Sequence, residues 1–337
     1  MKERIFLILS YGLSWGIELI LLLTGHINDE AFNWISPLIS CAPALAVLIT
    51  KYVVKEPLNM NLGFRPEGRK TCRYVLVGWF GPLLLIAAGT VLYFVIFRGQ
   101  FDGGMSGMIE SLRGQQDLSQ FTDGQIRRTL YLNMVLNVFM APFYNMFTCI
   151  PEEFAWRGYL LNALCEKYSR LRAVIMNGVM WAVWYIPLMA MKTFGAGDFE
   201  GNMVVSMIYL IVYSFIYSIV FSAVYSYLTL KTHSCVPAIL ANACVASMGS
   251  VGRLFLINPD KINQYLNPTN TSIIGGIGFV AAAGVILYLL AKDRIQPAPM
   301  KQDVADMKQF EARNQNKKAT AASLKSHTQN KHLEGGK

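Results

Sequence analysis

Runs of mostly apolar residues, each long enough to cross a lipid bilayer, follow one another along most of this chain. A transmembrane helix needs about 20 such residues, and only helices or closed barrels satisfy every backbone polar group in lipid. Because 53% of the residues are hydrophobic and 15% are charged, the composition excludes an ordinary soluble globular protein. The sequence predicts an all-α integral membrane protein with about eight transmembrane helices. The predicted spans lie near 5–24, 33–54, 74–97, 129–150, 172–191, 204–228, 235–256 and 272–291.

Composition divides the chain into two parts. Residues 1–291 hold all the predicted spans and form one membrane domain. Residues 292–337 are polar and rich in Gln, Asn, Lys and Ala. Because such a segment cannot bury enough apolar surface to fold alone, we expect a disordered basic tail there.

Lysine and arginine predict the orientation in the membrane. If the N-terminus is cytoplasmic, 23 of the 30 Lys and Arg residues fall on cytoplasmic segments or in the tail. This bias favours a multi-pass protein of the cell membrane with both termini in the cytoplasm. It also explains the net charge of +9 by contacts with anionic lipid headgroups, so we expect membrane lipids and no nucleic acid as partners.

The longest segment between spans on the opposite face is 98–128. Met105, Met108, Ile109 and Leu112 have helical spacing, which predicts a short helix at the membrane surface. This helix either covers an external opening or lies against lipid.

Two adjacent carboxylates, Glu152 and Glu153, follow the fourth apolar run. Charged groups at membrane depth are costly and are usually functional. Glu153 and Arg157 are four residues apart, so on a helix they can form an ion pair. Glu152 points roughly 100° away and is free to face a cavity. The alternative is an interfacial helix end that its own ion pair neutralises.

Two more stretches lie inside spans five and seven: Trp181-Ala182-Val183-Trp184-Tyr185-Ile186-Pro187 and Pro237-Ala238-Ile239-Leu240-Ala241-Asn242. Together with Glu152-Glu153-x-x-x-Arg157-Gly158-Tyr159-Leu160 and Leu62-Gly63-Phe64-Arg65, they resemble the CPBP family. This family comprises CAAX proteases and bacteriocin-processing or Abi-type proteins, among them the type II CAAX prenyl endopeptidases. The resemblance implies an eight-helix bundle with a cytoplasm-facing cavity among spans four, five and seven, and an intramembrane protease activity.

The chain departs from the family pattern at two positions. In the family, the second motif ends in a histidine and the third begins with one; here these places are Tyr185 and Asn242. The family's Asn or Asp four residues after the second histidine is Ala246 here. Only the two glutamates and the arginine carry over.

The candidate site therefore consists of Glu152, Glu153, Arg157, Tyr185 and Asn242. Peptide hydrolysis needs a base for water, donors for the oxyanion and a proton for the leaving amine. Tyr185 and Asn242 can donate hydrogen bonds, but neither titrates near neutral pH as histidine does. We predict no cofactor and no metal, since zinc prefers His, Cys or carboxylate ligands.

Three functions are compatible with these residues. The first is a degenerate, weak or inactive protease that binds a membrane protein or peptide. The second is an active endopeptidase in which Glu152 activates water while Tyr185 and Asn242 stabilise the oxyanion. The third is a proton-coupled small-molecule transporter that uses the carboxylates as a relay.

Overall fold

Long apolar helices make up most of the protein. The computed structural model describes residues 2–26, 29–55, 68–194, 202–263 and 265–292. The tail predicted at 292–337 lies outside these residues, apart from Lys292, and so does the segment 62–65. The helices are α1 (Lys2–Leu23), α2 (Glu30–Val53), α3 (Gly68–Ile96), α4 (Ser106–Gln115), α5 (Asp123–Tyr144), α6 (Met146–Glu153), a π-helix (Phe154–Leu160), α7 (Leu161–Cys165), α8 (Arg170–Phe194), α9 (Met203–Thr232), α10 (Val236–Met248) and α11 (Ile277–Lys292).

Six stretches of the described chain are helical, long and apolar enough to cross a membrane: α1, α2, α8, α9, Cys72–Ile96 of α3, and Val236–Phe255, which begins with α10. Their outer faces carry large exposed apolar side chains such as Ile8 and Leu84, as expected where lipid replaces water as the solvent. The prediction of an all-α, multi-pass membrane protein is confirmed. The count of eight spans is not, because α5 begins with polar turns and α11 has only 16 residues. At 1.5 Å per residue α11 is roughly 24 Å long, shorter than a typical hydrocarbon core.

The predicted fourth span, 129–150, is two helices rather than one. α5 ends at Tyr144 and α6 begins at Met146. Between them, the Asn145 amide donates hydrogen bonds to Ala243 O (3.3 Å) and to Ser247 Oγ (2.5 Å) of α10. This side chain joins the bend to the neighbouring helix, a tertiary contact that hydropathy does not reveal.

Close backbone approaches bring the inner helices together. α10 packs against α3, α5, α6 and α9. A Cβ atom added at Gly78 of α3 would overlap the backbone of Pro237, and one added at Gly178 of α8 would lie 2.7 Å from Ile219 Cα of α9. Glycine at these two positions therefore allows α8, α9 and α10 to surround one small volume.

Residues 98–115 and 251–260 cover one end of this bundle, and we call them the cap. Asp102 N donates to Phe255 O (2.8 Å), and Ile257 N donates to Gln100 O (3.1 Å). The predicted short helix is present as α4, and its Met105 and Ile109 are buried. The start of α1 lies at the opposite end, where Lys167 Nζ is 2.9 Å from a Glu3 carboxylate oxygen.

Candidate functional site

A π-helix follows the two glutamates of α6 and carries Arg157. The Leu161 N–H donates to Trp156 O, five residues earlier, instead of four as in an α-helix. The Asn177 side chain of α8 also donates to Trp156 O, at 2.7 Å. π-Helical turns inside α-helices are rare and are frequently found at functional sites. Here the wider turn begins immediately after Glu153 and includes Arg157.

Glu153 and Arg157 form the predicted ion pair. Arg157 Nη1 donates to Glu153 Oε1 at 3.0 Å, and neither side chain is exposed. The Arg157 guanidinium also stacks over Trp181, 4.1 Å from the ring centroid, and lies 5.2 Å from the Tyr225 ring centroid. Cation–π contacts of this kind strengthen when desolvated. The Glu153–Arg157 ion pair is therefore buried inside the bundle rather than solvated at a helix end.

Asn242 of α10 completes the environment of Glu153. Its Nδ2 donates to Glu153 Oε1 at 2.9 Å. The sequence predicted Asn242 near Glu152, and its hydrogen bond in the structure goes to the neighbouring Glu153. Adjacent residues on a helix point in different directions, so Glu153 faces α10 while Glu152 faces α8.

Glu152 lies between two aromatic side chains of α8. It is 3% exposed, and its Oε1 accepts a hydrogen bond from Trp181 Nε1 at 2.9 Å. The Tyr185 side chain also interacts with the Glu152 carboxyl group, as its position in the sequence led us to expect. The Tyr185 ring contacts both Trp181 and Trp184 edge to face. Glu152 is therefore buried, and both side chains that interact with it belong to α8.

We call Glu152, Glu153 and Arg157, with the side chains that bind them, the cluster. Some of its polar atoms have no hydrogen-bond partner. Within the part of the chain that the structure describes, Glu153 Oε2 and the Nε and Nη2 atoms of Arg157 have no hydrogen-bond partner. Buried polar atoms usually have partners, and exceptions often mark a ligand or water position. The described residues contain no cluster of three or more His, Cys, Asp or Glu side chains suited to a metal ion.

Two contributors to the site were not singled out in the sequence. Tyr225 stacks near Arg157, and Asn177 holds the π-helix while Ser222 Oγ donates to its Oδ1 at 3.2 Å. Asn177, Trp181 and Tyr185 are spaced by four residues and lie on one face of α8. That spacing in an apolar run is the one sequence signal that could have identified Asn177.

A cavity of about 350 Å³ adjoins the cluster. Trp181, Tyr185, Tyr225 and Asn242 form its deep end, and further residues of α8, α9, α10 and the 249–271 segment line the rest. Cavities of this size lie at the small end of ligand pockets. The cavity extends from these four side chains towards the end of the bundle that carries the cap.

This direction has a packing cause. On α10, residues after Asn242 line the cavity, whereas Cys235 and Ile239 before it pack against Cys149 and Ile150. The inner end is therefore filled by side chains. The cavity lies among α8, α9 and α10, and the predicted cytoplasm-facing opening stays a prediction.

Comparison with known proteins agrees with the position of this site. The profile of a family described as type II CAAX prenyl endopeptidase Rce1-like matches residues 133–248, which include both glutamates, Arg157, Tyr185 and Asn242. The CAAX prenyl protease 2 of Methanococcus maripaludis is 26% identical over 138 residues. That match covers 41% of this chain and 45% of the relative, less than half of either protein. Residues 133–248 of this all-α membrane bundle are therefore similar to CAAX-protease-like membrane proteins.

Proposed function

We propose that this protein is a degenerate CAAX-protease-like protein of the cell membrane. It binds a peptide or membrane-protein partner at the Glu152–Glu153 cluster and hydrolyses peptide bonds weakly or not at all. Both termini lie in the cytoplasm, and the basic residues at that face contact anionic lipids.

One observation carries this proposal: both carboxylates are bound by donors that do not titrate near neutral pH. Trp181 donates to Glu152, and Asn242 donates to Glu153. Peptide hydrolysis also needs a group that gives a proton to the leaving amine. An indole, an amide and a phenol are poor at this transfer near pH 7, where histidine is efficient.

The expected loss of rate is large. A general acid–base group contributes about 10²–10⁴-fold to a rate, and an oxyanion donor about 10²–10³-fold. According to the family resemblance, Tyr185 and Asn242 occupy the positions of two histidines. Substitution at both positions is therefore compatible with retained binding and little catalysis.

An active endopeptidase is the alternative, and one observation favours it. Glu152 is buried beside Tyr185, which lines the cavity, so a peptide in the cavity would lie close to the carboxylate. Glu152 would then be the base and Tyr185 an oxyanion donor. Asn242 is less suited to that role because its amide already binds Glu153.

A cleavage assay distinguishes the two functions. Wild-type protein in proteoliposomes is incubated with a prenylated peptide that ends in a CAAX motif, and mass spectrometry detects internal cleavage. We expect cleavage no faster than that by Glu152→Gln, while fluorescence anisotropy shows that the wild type binds the peptide. Glu166→Gln is the matched control, because Glu166 is exposed at the surface, where its carboxylate forms an ion pair with Lys2. Rapid wild-type cleavage that Glu152→Gln abolishes would establish the active endopeptidase instead.

A gain-of-function variant completes the test. Tyr185→His, Asn242→His and Ala246→Asn together return imidazoles beside both glutamates, so cleavage should increase. Each single change should do less, since groups that act as a unit are not additive. A folded triple variant that binds the peptide without cleaving it would show that the histidines alone do not explain the low activity.

A further inference from the structure

A groove of about 450 Å³ lies on the outer side of α3, where this helix meets the cap. The described residues of its lining do not overlap with those of the cavity beside the cluster. The groove is therefore a separate feature, which the proposed function does not use. Its lining consists of Thr90, Val91, Phe94 and Val95 of α3, and Arg98, Phe101 and Phe255 of the cap.

The walls of the groove are aromatic, and the backbone of the cap holds them in place. The Phe94 and Phe101 rings meet edge to face with centroids 5.0 Å apart, and the Phe101 and Phe255 rings are nearly parallel at 6.1 Å. Phe101 forms a β-bridge with Leu256, and Asp102 N donates to Phe255 O. Because backbone hydrogen bonds position both aromatic residues of the cap, the groove is a built part of the fold.

The groove extends across the end of a membrane-spanning helix. Cys72–Ile96 of α3 is long and apolar enough to cross a membrane, and Val91 and Val95 are exposed in its last turns. Arg98 follows this stretch by two residues and is exposed. An arginine at the end of a span keeps its methylene groups against apolar surface and extends its charge to the interface. The groove thus joins an apolar wall at hydrocarbon depth to a cation at headgroup depth.

The guanidinium of Arg98 can bind a ligand. Within the part of the chain that the structure describes, it has no ion-pair or hydrogen-bond partner, whereas Arg113 of the cap binds Asp123. The nearest carboxylate in the sequence, Asp102, accepts from backbone N–H groups of the cap instead. No Asp or Glu is present among the described residues of the lining. A lining with a cation and no anion favours an anionic group, and guanidinium binds phosphate oxygens well.

We propose that this groove binds a phospholipid with an anionic headgroup. An acyl chain lies along α3 between Phe94, Phe101 and Phe255, and Arg98 binds the headgroup phosphate. A zwitterionic headgroup also carries an ammonium group, for which the lining has no carboxylate, so the groove favours a headgroup whose only charge is the phosphate. The simpler account, in which Arg98 extends into water and any lipid covers the groove, gives no headgroup preference.

Native mass spectrometry of the full-length protein tests the headgroup preference. The protein in detergent is titrated with phosphatidylglycerol, or with phosphatidylcholine of the same acyl chains, and the bound lipids are counted. We expect the first phosphatidylglycerol to bind about fivefold more tightly than phosphatidylcholine, the factor that corresponds to one basic residue near a membrane surface. Equal binding of the two lipids would leave only the simpler account.

Matched arginine variants assign the preference to this groove, since basic residues elsewhere also attract anionic lipids. Arg98→Gln should lower the affinity for the first phosphatidylglycerol about fivefold, and Arg98→Lys should lower it less. Arg128→Gln removes the same charge from an exposed residue at the start of α5, beside Arg127, which binds the cap. This control should leave the affinity unchanged. Equal losses in Arg98→Gln and Arg128→Gln would show a general attraction of lipid to positive charge and would overturn the proposal.

A second pair of variants tests the acyl-chain position. Val95→Trp places a large ring in the groove, whereas Val77→Trp adds the same ring to an exposed position of α3 outside it. Only Val95→Trp should weaken phosphatidylglycerol binding, by about tenfold, the loss expected when roughly two methylene groups leave the groove. Unchanged binding in folded Val95→Trp protein would place the lipid elsewhere.

Inorganic phosphate separates a lipid headgroup from a free anion. It should not displace phosphatidylglycerol from the wild type, because it lacks the acyl chain that occupies the groove. Displacement would assign Arg98 to a free anion and contradict the proposal. None of these measurements involves peptide binding or cleavage, so they test the groove independently of the proposed function.

Discussion

Two regions of this bundle bury carboxylates, and they do so in opposite ways. In the cluster, Glu152 and Glu153 each accept a hydrogen bond, and Arg157 compensates the charge. On α1, Glu18 is 1% exposed, yet neither of its oxygens has a hydrogen-bond partner among the described residues. Ser14 and Ser10 lie one and two turns earlier, respectively, on the same face of α1 and are also buried.

The comparison shows that burial of an acidic residue does not by itself mark a site. Removing a carboxylate from water is costly, and the cost is offset only where donors and an opposite charge are placed around it. Three elements converge on the cluster: the π-helix, α8 and α10. For Glu18 the described residues provide no such set, so we expect the two regions to respond differently to the same substitutions.

Arg157→Ala should produce the largest effect. It leaves Glu153 buried without its cation, and breaking a buried pair in this way costs about 3–5 kcal/mol. Glu152→Ala should cost less, about 1–3 kcal/mol, because it strands neutral donors, the Trp181 N–H and the Tyr185 hydroxyl, rather than a charge. Thermal unfolding in detergent measures both. Small and equal losses would mean that the two glutamates are solvated charges, and the contrast with Glu18 would disappear.

Asn242→Ala should come next. It removes the amide that donates to Glu153, and hydrogen bonds to charged groups are worth about 1.5–3 kcal/mol. Asn258→Ala, at an exposed position in the cap, is the matched control and should change stability little. The same unfolding measurement applies. If both variants have the same midpoint, Asn242 does not stabilise the cluster.

Glu18→Met tests the buried carboxylate on α1. Methionine has a similar length and no charge, so we expect no loss of stability and a gain of about 1–2 kcal/mol. Glu152→Met, the same substitution in the cluster, should be destabilising because Trp181 Nε1 loses its acceptor. Equal destabilisation by the two changes would show that Glu18 has partners of similar value to those of Glu152.

The carboxylate of Asp102, in the cap, is bound by backbone N–H groups rather than by side chains. We expect its substitution to change stability the least. Partial burial acts to raise its pKa, but backbone N–H groups of Gly107, Gly104 and Ser106 donate to the carboxylate and lower the pKa below its ordinary value of 3.8. Because the folded pKa is depressed, this stabilisation is present above about pH 4 and is lost as the pH falls through the folded pKa. We expect Asp102→Asn to cost about 1 kcal/mol at pH 7.

Hydrogen exchange of the α4 amides between pH 7 and pH 3 provides the measurement for Asp102. Wild-type protection should fall at the acid end more than that of Asp102→Asn. Parallel pH profiles for the two proteins would show that the carboxylate contributes no charge-dependent stability to the cap.

Much of the fold could be predicted because membrane helices follow directly from hydropathy. The long apolar runs appear as α1, α2, α3, α8 and α9, whose bounds agree with the prediction to within several residues. The prediction was less accurate where a side chain from another helix decides the geometry. The fourth run is interrupted at Asn145, whose side chain binds α10, and residues before Ile277 remain outside α11.

For the site, the sequence by itself determined the pairing of Glu153 with Arg157, since residues four apart on a helical turn face each other. It also determined that Tyr185 lies with Glu152. Only the tertiary structure decided that Asn242 binds Glu153 rather than Glu152, that Tyr225 and Asn177 join the cluster, and that the adjacent cavity leads to the cap. These contacts depend on how α8, α9 and α10 approach one another, and that approach is set by side-chain packing between segments far apart in the chain, which local spacing does not encode.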